Sequence, residues 1–243
     1  MLNEFITESG IHVPAITARQ MAEVDRIAME ETGPNLFQMM ENAGRNLALT
    51  AIKLLGNGYR NSKVVILCGT GGNGGGGICA GRHLANRNIE VKICITASAR
   101  LKPVTAFQRK VFLNTGGKEI GLEQLSKEKA DLIIDAVIGY NLNSAPRGNA
   151  LEMIEWANSN ETKILSLDVP SGVDATTGKT PGNYMKANTI LTLALPKTGL
   201  LPEFTGELLL ANIGIPAKVY ERAGIKYQNP FGDKFIVKLI SGK

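Results

Sequence analysis

A glycine-rich segment is the stretch of this sequence whose composition most clearly indicates chemistry. Residues 69–77 read Gly-Thr-Gly-Gly-Asn-Gly-Gly-Gly-Gly and directly follow an apolar run at 64–68. Glycine lets the backbone approach a ligand closely, and a helix beginning after the segment would favour a bound phosphate. The Lys-Ser/Thr pair that ends a P-loop is missing. Because seven glycines in nine residues are costly to order without a ligand, the segment predicts phosphate binding, with a flexible tight turn as the alternative.

Two further segments place oxygen-bearing side chains at the ends of apolar runs. Asp135 follows the run at 132–134, where a functional acid and a turn or helix cap are about equally expected. Asp168 and Ser171 flank Pro170 after the run at 164–167. With the amide of Asn73, these groups could form an all-oxygen site for a hard cation. An Asx or Ser turn is the alternative interpretation of the Pro-Ser-Gly segment.

The remaining reactive side chains indicate structure rather than catalysis. His12 is a poor catalytic candidate, and His83 follows Arg82 without a carboxylate neighbour in sequence, so a surface or semi-buried imidazole is expected. Trp156 lies on an apolar helix face and is expected in the core. Three cysteines lack CxxC spacing, which predicts buried thiols without disulfides or zinc. They are Cys68, Cys79 and Cys94.

Helices and short apolar strands alternate in the pattern that would position these residues. Thr17 and Gln20 form a capping box that begins the first helix, which ends at Gly33-Pro34, and a second helix continues to residues 56–58. The predicted strands are 64–68, 91–95, 132–135, 164–167, 190–193 and 207–210, and the predicted later helices are 77–85, 104–113 and 151–157. This alternation implies a parallel α/β sheet, which binds ligands at the carboxyl ends of its strands.

Length and composition are those of an ordinary soluble α/β protein. The 243 residues are 44% hydrophobic and 20% charged, and they are predicted to form a single domain over 1–243. No apolar run reaches the roughly 20 residues of a membrane span, and the N-terminus is unlike a secretory signal, so a cytoplasmic location is expected. The net charge of +5 suits an anionic ligand, but the basic residues are spread along the chain, which argues against nucleic acid.

Six ordered motifs carry a resemblance to a known family. They are Met-Met-Glu-Asn-Ala-Gly-Arg at 39–45, Ala-Gly-Arg-His-Leu at 80–84, Asp-Ala-Val-Ile-Gly at 135–139, Leu-Asp-Val-Pro-Ser-Gly-Val-Asp at 167–174, Ala-Leu-Pro-Lys-Thr-Gly at 194–199 and Asn-Ile-Gly-Ile-Pro at 212–216. From about residue 17 to residue 216 the chain resembles the NAD(P)HX epimerase family, also called the YjeF N-terminal-domain family. The resemblance implies a Rossmann-like three-layer α/β/α sandwich with a mainly parallel sheet, and a homodimer.

The resemblance also implies an activity and a set of site residues. Members interconvert the R and S epimers of NADHX and NADPHX, the hydrated forms of NADH and NADPH, so that a separate ATP- or ADP-dependent dehydratase can restore the cofactor. A bound potassium ion would be held by Asn73, Asp135 and Ser171. We hypothesise that Asp168 is catalytic and that Asn42 positions the ring amide or this carboxylate. The implied substrate contacts are Gly72, Asn73, Gly74, Gly75, Gly76, Gly139, Tyr140, Asn141, Leu142, Asn143, Ser144, Ala145 and Asp168.

Several positions depart from the family pattern. Gly72 and Gly76 stand where the family has asparagine and aspartate, and Asn188 and Asn212 stand where an acid is common. A lost hydrogen-bonding anchor costs on the order of 1–3 kcal/mol, so a weaker site is expected rather than none. The alternatives are a non-catalytic nucleotide- or RNA-binding scaffold, as in mRNA-decapping enhancers, and an enzyme for another nucleotide or vitamin-related substrate. The tail from residue 227 is predicted to be a strand or a docking segment.

Overall fold

Strands from both ends of the chain join one sheet. The computed structural model describes residues 4–204 and 206–241, and these ranges contain ten strands in that sheet. The strands are β1 (Phe5–Thr7), β2 (His12–Val13), β3 (Lys63–Cys68), β4 (Glu90–Ile95), β5 (Lys118–Ile120), β6 (Leu132–Ala136), β7 (Ile164–Leu167), β8 (Thr189–Leu193), β9 (Glu207–Ala211) and β10 (Ile236–Ser241). Each strand predicted between residues 64 and 210 is therefore confirmed to within one residue at either end.

The strand order is β2-β1-β10-β9-β8-β7-β6-β3-β4-β5. From β9 to β5 the neighbours are parallel, whereas β10, β1 and β2 pair antiparallel at one edge. The mainly parallel sheet is therefore confirmed, and the tail contributes a strand, β10. Strand β3 lies between β4 and β6. The order in which successive strands are added to the sheet reverses there, which is where an open parallel sheet forms its ligand crevice.

Helices cover both faces of the sheet. They are α1 (Ala18–Ile27), α2 (Leu36–Leu55), α3 (Gly72–Ala85), α4 (Pro103–Phe112), α5 (Asn149–Asn158) and α6 (Ala217–Arg222). Strand β3 shows the layering, because Val64 and Ile66 join a cluster with α2 and α3, whereas Val65 and Leu67 join a cluster with α5. Side chains alternate across a strand, so the two clusters lie on opposite faces. The Rossmann-like three-layer sandwich is confirmed.

The first two helices begin as the sequence predicts. The Thr17 hydroxyl oxygen accepts from the backbone N–H of Gln20, and the backbone N–H of Thr17 donates to the Gln20 side-chain oxygen. A π-helical turn at Ala28–Thr32 continues α1 to Gly33. Asn35 makes the same capping box for α2. In such a box the side chains satisfy N–H groups that the first turn leaves unpaired. Helix α6 and the strands β1, β2 and β5 were not predicted.

The glycine-rich segment is not a nine-residue loop. Helix α3 begins at Gly72, five residues before the predicted start, and Gly71 is its N-cap, so the loop itself is only 69–71. The prediction that all of 69–77 is loop is wrong for a physical reason. The glycines are required by close packing as well as by any ligand.

Close approaches explain the glycines inside α3. A Cβ added at Gly74 would lie 1.9 Å from the carbonyl oxygen of Gly69, and one at Gly77 would lie 2.5 Å from the Cβ of Ala136. A Cβ at Gly75 would lie 2.6 Å from the Sδ of Met40 on α2. A side chain at Gly74 or Gly77 would therefore force α3 away from the preceding loop or from the sheet, whereas one at Gly75 would displace the end of the Met40 side chain. The unfavourable chain entropy of glycine is therefore offset by tight packing.

The expectation for the cysteines is met, and that for Trp156 is met in part. All three cysteines are buried and free, as predicted. Trp156 is partly buried and packs against the cluster that includes α5. Within the described ranges, no helix combines the length and apolar character that crossing a membrane requires.

Candidate functional site

A cleft of about 640 Å³ opens at the carboxyl ends of β3, β6 and β7. Helices α1 and α2 wall it through apolar side chains such as Met21 and Met39. Its polar side chains are Asp25, Asn73, Lys102, Tyr140, Asp168 and Lys197, among others. Parallel sheets bind ligands at the carboxyl ends of their strands, and the largest group of predicted site residues lies at the same place.

Asp168 forms a buried ion pair with Lys197 in this cleft. Only 3% of Asp168 and 1% of Lys197 are exposed. Lys197 Nζ donates to Asp168 Oδ1 and to the carbonyl oxygen of Leu193 at 2.9 Å. The backbone N–H of Leu193 donates to the same carboxylate oxygen at 3.2 Å. The acid predicted from sequence is therefore paired with a cation that the sequence analysis did not assign.

The backbone at the ends of β7 and β8 is unusual. Asp168 directly follows β7 with φ of 71°, and Ala194 directly follows β8 with φ of 63°. Non-glycine residues rarely adopt left-handed backbone, and such conformations concentrate at functional sites. The turn at Asp168 is held by its N–H, which donates to the Leu191 carbonyl at 2.8 Å. The fold thus fixes the direction of the carboxylate.

Asp135 is completely buried and makes four hydrogen bonds. It accepts from the hydroxyls of Ser166 at 2.7 Å and Ser171 at 2.5 Å, and from the backbone N–H groups of Ser171 at 2.9 Å and Val137 at 3.2 Å. Burial raises the pKa of the Asp135 carboxyl, against the lowering influence of these bonds, first among them the one from the Ser171 hydroxyl. Asp135 and Ser171 are thus close enough together to be ligands of one cation.

Asn73 lies on the other side of the segment that follows β6. A Cβ added to Gly139 would lie 3.2 Å from the Asn73 amide, so glycine leaves room for this side chain. The backbone N–H of Ile138 donates to the Ser171 hydroxyl at 2.8 Å. The segment 138–139 therefore connects two of the three predicted cation ligands.

The donor set fits a monovalent cation such as potassium. The Asn73 amide nitrogen is buried and, within the described residues, has no hydrogen-bond partner. Rotating this amide would present its oxygen instead, since the two ends of an amide are interchangeable by rotation. With the carboxylate of Asp135 and the hydroxyl of Ser171, the site then offers oxygen ligands and one negative charge, which suit a hard cation.

The N-terminus of α3 is the part of the glycine segment that faces the cleft. Gly69, Thr70, Gly71, Gly72 and Asn73 line it. The first N–H groups of a helix have no intrahelical partner and attract anions. Two contacts fix this turn: Lys102 N–H donates to the carbonyl of Thr70 at 3.0 Å, and Thr105 Oγ donates to that of Gly71 at 2.9 Å. The exposed Lys102 side chain adds a positive charge.

The predicted substrate residues fall into two groups. Those that line the cleft are Gly72, Asn73, Gly76, Gly139, Tyr140, Asn141, Asn143 and Asp168. The cleft lining does not include Gly74, Gly75, Leu142, Ser144 or Ala145. Gly74 and Gly75 are buried against Gly69 and Met40, which places them behind the helix surface that a ligand meets.

Asn42 lies beside the cleft rather than in its lining. Its Nδ2 donates to the carbonyl oxygen of Ile213 at 3.2 Å, and its Oδ1 accepts from Arg45 at 3.4 Å. Ile213 itself lines the cleft. In this position Asn42 holds the Ile213 segment against α2, and the predicted contact with the ring amide or with Asp168 stays a prediction.

Two of the departures from the family pattern lie outside the cleft lining. Asn188 Oδ1 accepts from the backbone N–H of Ile164 at 2.8 Å, and Asn212 Oδ1 accepts from that of Gly214 at 2.7 Å. Each asparagine therefore supplies the acceptor oxygen that an aspartate would supply. The expected loss of charge near the ligand does not arise from these positions.

His83 has the carboxylate neighbour that its sequence surroundings lacked. Its Nε2 lies 2.8 Å from Glu41 Oε1, and Arg82 donates to the other oxygen of Glu41 at 2.5 Å. Burial lowers the pKa of the His83 imidazole. The contact joins α2 to α3 outside the cleft lining, so the prediction of a semi-buried structural imidazole agrees with its position. His12 is exposed on β2, far along the chain and sheet from β3.

Sequence reasoning missed three charged residues of the cleft, Asp25, Lys102 and Lys197. Lys197 lies within the motif at 194–199, so the motif itself was the available signal. Asp25 faces the cleft from α1, where an acid on an amphipathic helix looks like a surface residue. Lys102 precedes Pro103 at the start of α4 and resembles any exposed cation in a loop.

The comparisons with known proteins decide the family. The profile described as YjeF-related protein N-terminus matches residues 36–199, which include the glycine segment, Asp135, Asp168 and Lys197. The chain belongs to this family. A relative from Dehalogenimonas lykanthroporepellens, named NAD(P)H-hydrate epimerase, is 49% identical over 244 aligned positions that cover all of both chains.

Two other proteins that are similar to this chain have names that do not mention an epimerase. The enhancer of mRNA-decapping protein 3 from Macaca fascicularis is 31% identical over 98% of this chain, and the match spans 47% of that relative. The crystal structure of the yeast protein ynu0 superposes with a TM-score of 0.81 over 93% of this chain and all of that one, at 21% identity. That likeness supports the fold alone.

Proposed function

We propose that this member of the YjeF-related family is an NAD(P)H-hydrate epimerase, which interconverts the R and S epimers of NADHX and NADPHX. The observation that carries the proposal is the Asp168–Lys197 pair, fixed in a cleft that the N-terminus of α3 also faces. A nucleotide needs an anion site for its diphosphate, and the reacting ring needs a proton-transfer group. Full-length similarity to the 49% identical epimerase supports the same activity.

The diphosphate is assigned to the first turn of α3. Free N–H groups and the helix dipole favour an anion there, and Lys102 adds charge at the rim. Gly71 and Gly72 keep that turn free of side chains, so a phosphate can reach the backbone. The sequence analysis expected residues 69–77 to bind phosphate, but this anion site uses only the start of that segment. From Gly75 onward the backbone N–H groups are hydrogen-bonded within the helix.

The chemistry requires loss and return of water at one carbon. That carbon carries a hydroxyl beside a ring nitrogen, so the departure of water leaves an iminium-type cation, and water re-adding on the other face gives the other epimer. Asp168 stabilises the cation, and the Asp168–Lys197 pair exchanges the proton that accompanies the hydroxyl. Because Lys197 is held by Leu193 and by Asp168, the pair is oriented before the substrate binds.

Potassium is proposed as the resident ion, held by Asn73, Asp135 and Ser171. When bound, it would supply positive charge beneath the glycine turn and so favour an anionic ligand. Asp135 and Ser171 are already hydrogen-bonded, and they fix the segment 138–139 that lines the cleft. These residues therefore organise the loop that meets the substrate.

The scaffold alternative is less well supported than the enzyme. The decapping relative is 31% identical and twice as long, whereas the epimerase is 49% identical over its whole length. We also propose that the protein forms a homodimer, as the resemblance implies, and that it is cytoplasmic, as the sequence suggests. The partner enzyme is a separate dehydratase, since an epimerase returns the water to the ring and its product is still a hydrate.

Chromatography of purified epimers tests the function. Pure S-NADHX or R-NADHX is incubated with the protein, with potassium or with sodium, and conversion is compared with a protein-free blank. We expect both epimers to reach the same mixture faster than in the blank, with a higher rate in potassium. Conversion at the blank rate, together with tight and salt-sensitive RNA binding, would instead favour the scaffold.

A further inference from the structure

A second carboxylate with an attached proton donor lies in the cleft. Tyr140 OH donates to Asp25 Oδ2 at 2.5 Å, which joins α1 to the segment after β6. Both residues line the cleft. The Tyr140 ring centroid is 6.0 Å from Lys197 Nζ, so this pair is a neighbour of the Asp168–Lys197 pair. The cleft therefore contains two separate carboxylates, each with its own proton donor.

The Asp25 carboxyl of this second pair is placed to accept a proton, and the Tyr140 phenol keeps its own proton at rest. Burial raises the pKa of the Asp25 carboxyl, against the lowering influence of the Tyr140 hydrogen bond and of Lys197, and nearby Asp168 raises it further. Burial and the charge of Asp25 raise the pKa of the Tyr140 phenol. A carboxyl with a raised pKa exchanges its proton closer to neutral pH, as general acids and bases do.

Inversion at one carbon calls for proton transfer on two faces of the ring. The hydroxyl leaves from one face, and the water that replaces it adds to the opposite face. A ring anchored through its diphosphate at α3 keeps one face toward Asp168, so this carboxylate alone cannot serve both. The other proton-transfer group has to come from elsewhere in the cleft.

We propose that Tyr140, backed by Asp25, is the second proton-transfer group of the epimerisation and meets the ring face opposite Asp168. The inference rests on the proposed function. It assigns catalytic contact to the Tyr140 oxygen and a positioning and proton-accepting role to Asp25.

The protons and electrons balance over the two steps. In the first, Lys197 Nζ gives a proton to the hydroxyl, the C–O bond breaks with its electrons on oxygen, and the ring nitrogen forms the C=N bond. In the second, water adds to the other face, its proton passes to the Tyr140 oxygen, and the phenolic proton passes to Asp25. Exchange with cleft water then returns the proton to Lys197, and the opposite conversion runs these steps in reverse.

Oxygen-18 labelling separates inversion from simple exchange. Pure S-NADHX is incubated with wild type or with Tyr140→Phe in water enriched in oxygen-18, and the epimers are separated and weighed by mass spectrometry. In wild type we expect the R epimer to appear with the label. In Tyr140→Phe we expect inversion to fall by about 100-fold, the lower end for one general acid–base group, while label still enters the recovered S epimer from the Asp168 side.

Two further variants make the outcome decisive. Asp25→Asn, which can still accept the Tyr140 hydrogen bond but not its proton, should show the same exchange without inversion. Tyr184→Phe removes a phenol outside the cleft, where the ring packs on Phe204, and should behave as wild type. Unchanged inversion in Tyr140→Phe, or equal loss of inversion and exchange, would overturn the inference while leaving the epimerase intact. A wild type that neither inverts nor labels the substrate would remove the proposed function itself.

Discussion

Lys197 and Asp168 form an ion pair across the ends of two adjacent parallel strands, β8 and β7, where almost none of either side chain meets solvent. Each strand is followed at once by a residue in left-handed backbone, Ala194 or Asp168. Burying two charges has a high desolvation cost, which their attraction and added hydrogen bonds only offset. Buried charges that are kept despite this cost are concentrated at functional sites, and this pair lies in the cleft.

The first prediction concerns the mutual dependence of these two charges. Lys197→Met leaves the Asp168 carboxylate buried without its cation, and we expect the free energy of unfolding to fall by about 3–5 kcal/mol. Adding Asp168→Asn to it removes the orphan charge, so the double variant should regain most of this loss. Denaturant titration of the wild type, both single variants and the double variant measures the coupling. Additive losses would show that the pair is not coupled.

The glycines of α3 should divide by position. Gly72→Ala places a Cβ in open space at the first helical residue, so the variant should gain about 0.4–1 kcal/mol from reduced freedom of the unfolded chain. Gly77→Ala forces a Cβ to 2.5 Å from that of Ala136, so it should lose about 1–3 kcal/mol. Thermal unfolding of both variants checks this. Equal effects would mean that packing does not explain these glycines.

Lys102 should contribute to affinity for a diphosphate. Lys102→Ala removes a charge at the cleft rim, and we expect ADP-ribose, which has the diphosphate but no nicotinamide ring, to bind about threefold more weakly. The difference should shrink as salt is added. Lys110→Ala, an exposed lysine on the same helix outside the cleft lining, is the matched control. Calorimetric titration measures the affinity of both variants for ADP-ribose. The same loss of affinity in both would mean that the effect comes from net charge and not from the position of Lys102.

Asp25 should make stability depend on pH. Its pKa is raised in the folded protein, so the folded state holds this proton more tightly than the unfolded chain does. The contribution to stability is then present below the ordinary value of 3.8 and is lost as pH rises through the higher folded value. Asn does not titrate and has no such loss. The free energy of unfolding of Asp25→Asn minus that of the wild type should therefore be more positive at about pH 7 than at about pH 3. A difference independent of pH in thermal unfolding would contradict the shift.

The sequence predicted the parallel part of the fold well because that part is coded locally. Strand β3, for example, is a continuous apolar run after Lys63, and the capping box at Thr17 marks the start of the first helix. The antiparallel edge was harder. β1 and β2 have three residues and two, and they exist because β10, from the far end of the chain, pairs with β1. No local window contains that information.

The site was predictable where strand ends supply its residues. Asp135 lies near the end of β6, Asp168 and Ser171 follow β7, and the pairing of β6 with β7 brings them together. The length of the glycine loop was predicted wrongly, because helix packing and ligand binding both require glycine. Asp25 could not be found from sequence, since its function depends on where α1 lies relative to Tyr140.

The most direct test of this account is the Asp168→Asn variant with purified NADHX. Asn has the same shape and keeps acceptors for Leu193 and Lys197, but it carries no charge to stabilise an iminium-type cation. We predict a fall in the epimerisation rate of at least about 100-fold, with binding of ADP-ribose retained. Epimerisation at the wild-type rate in a folded Asp168→Asn protein would contradict the role given to this carboxylate.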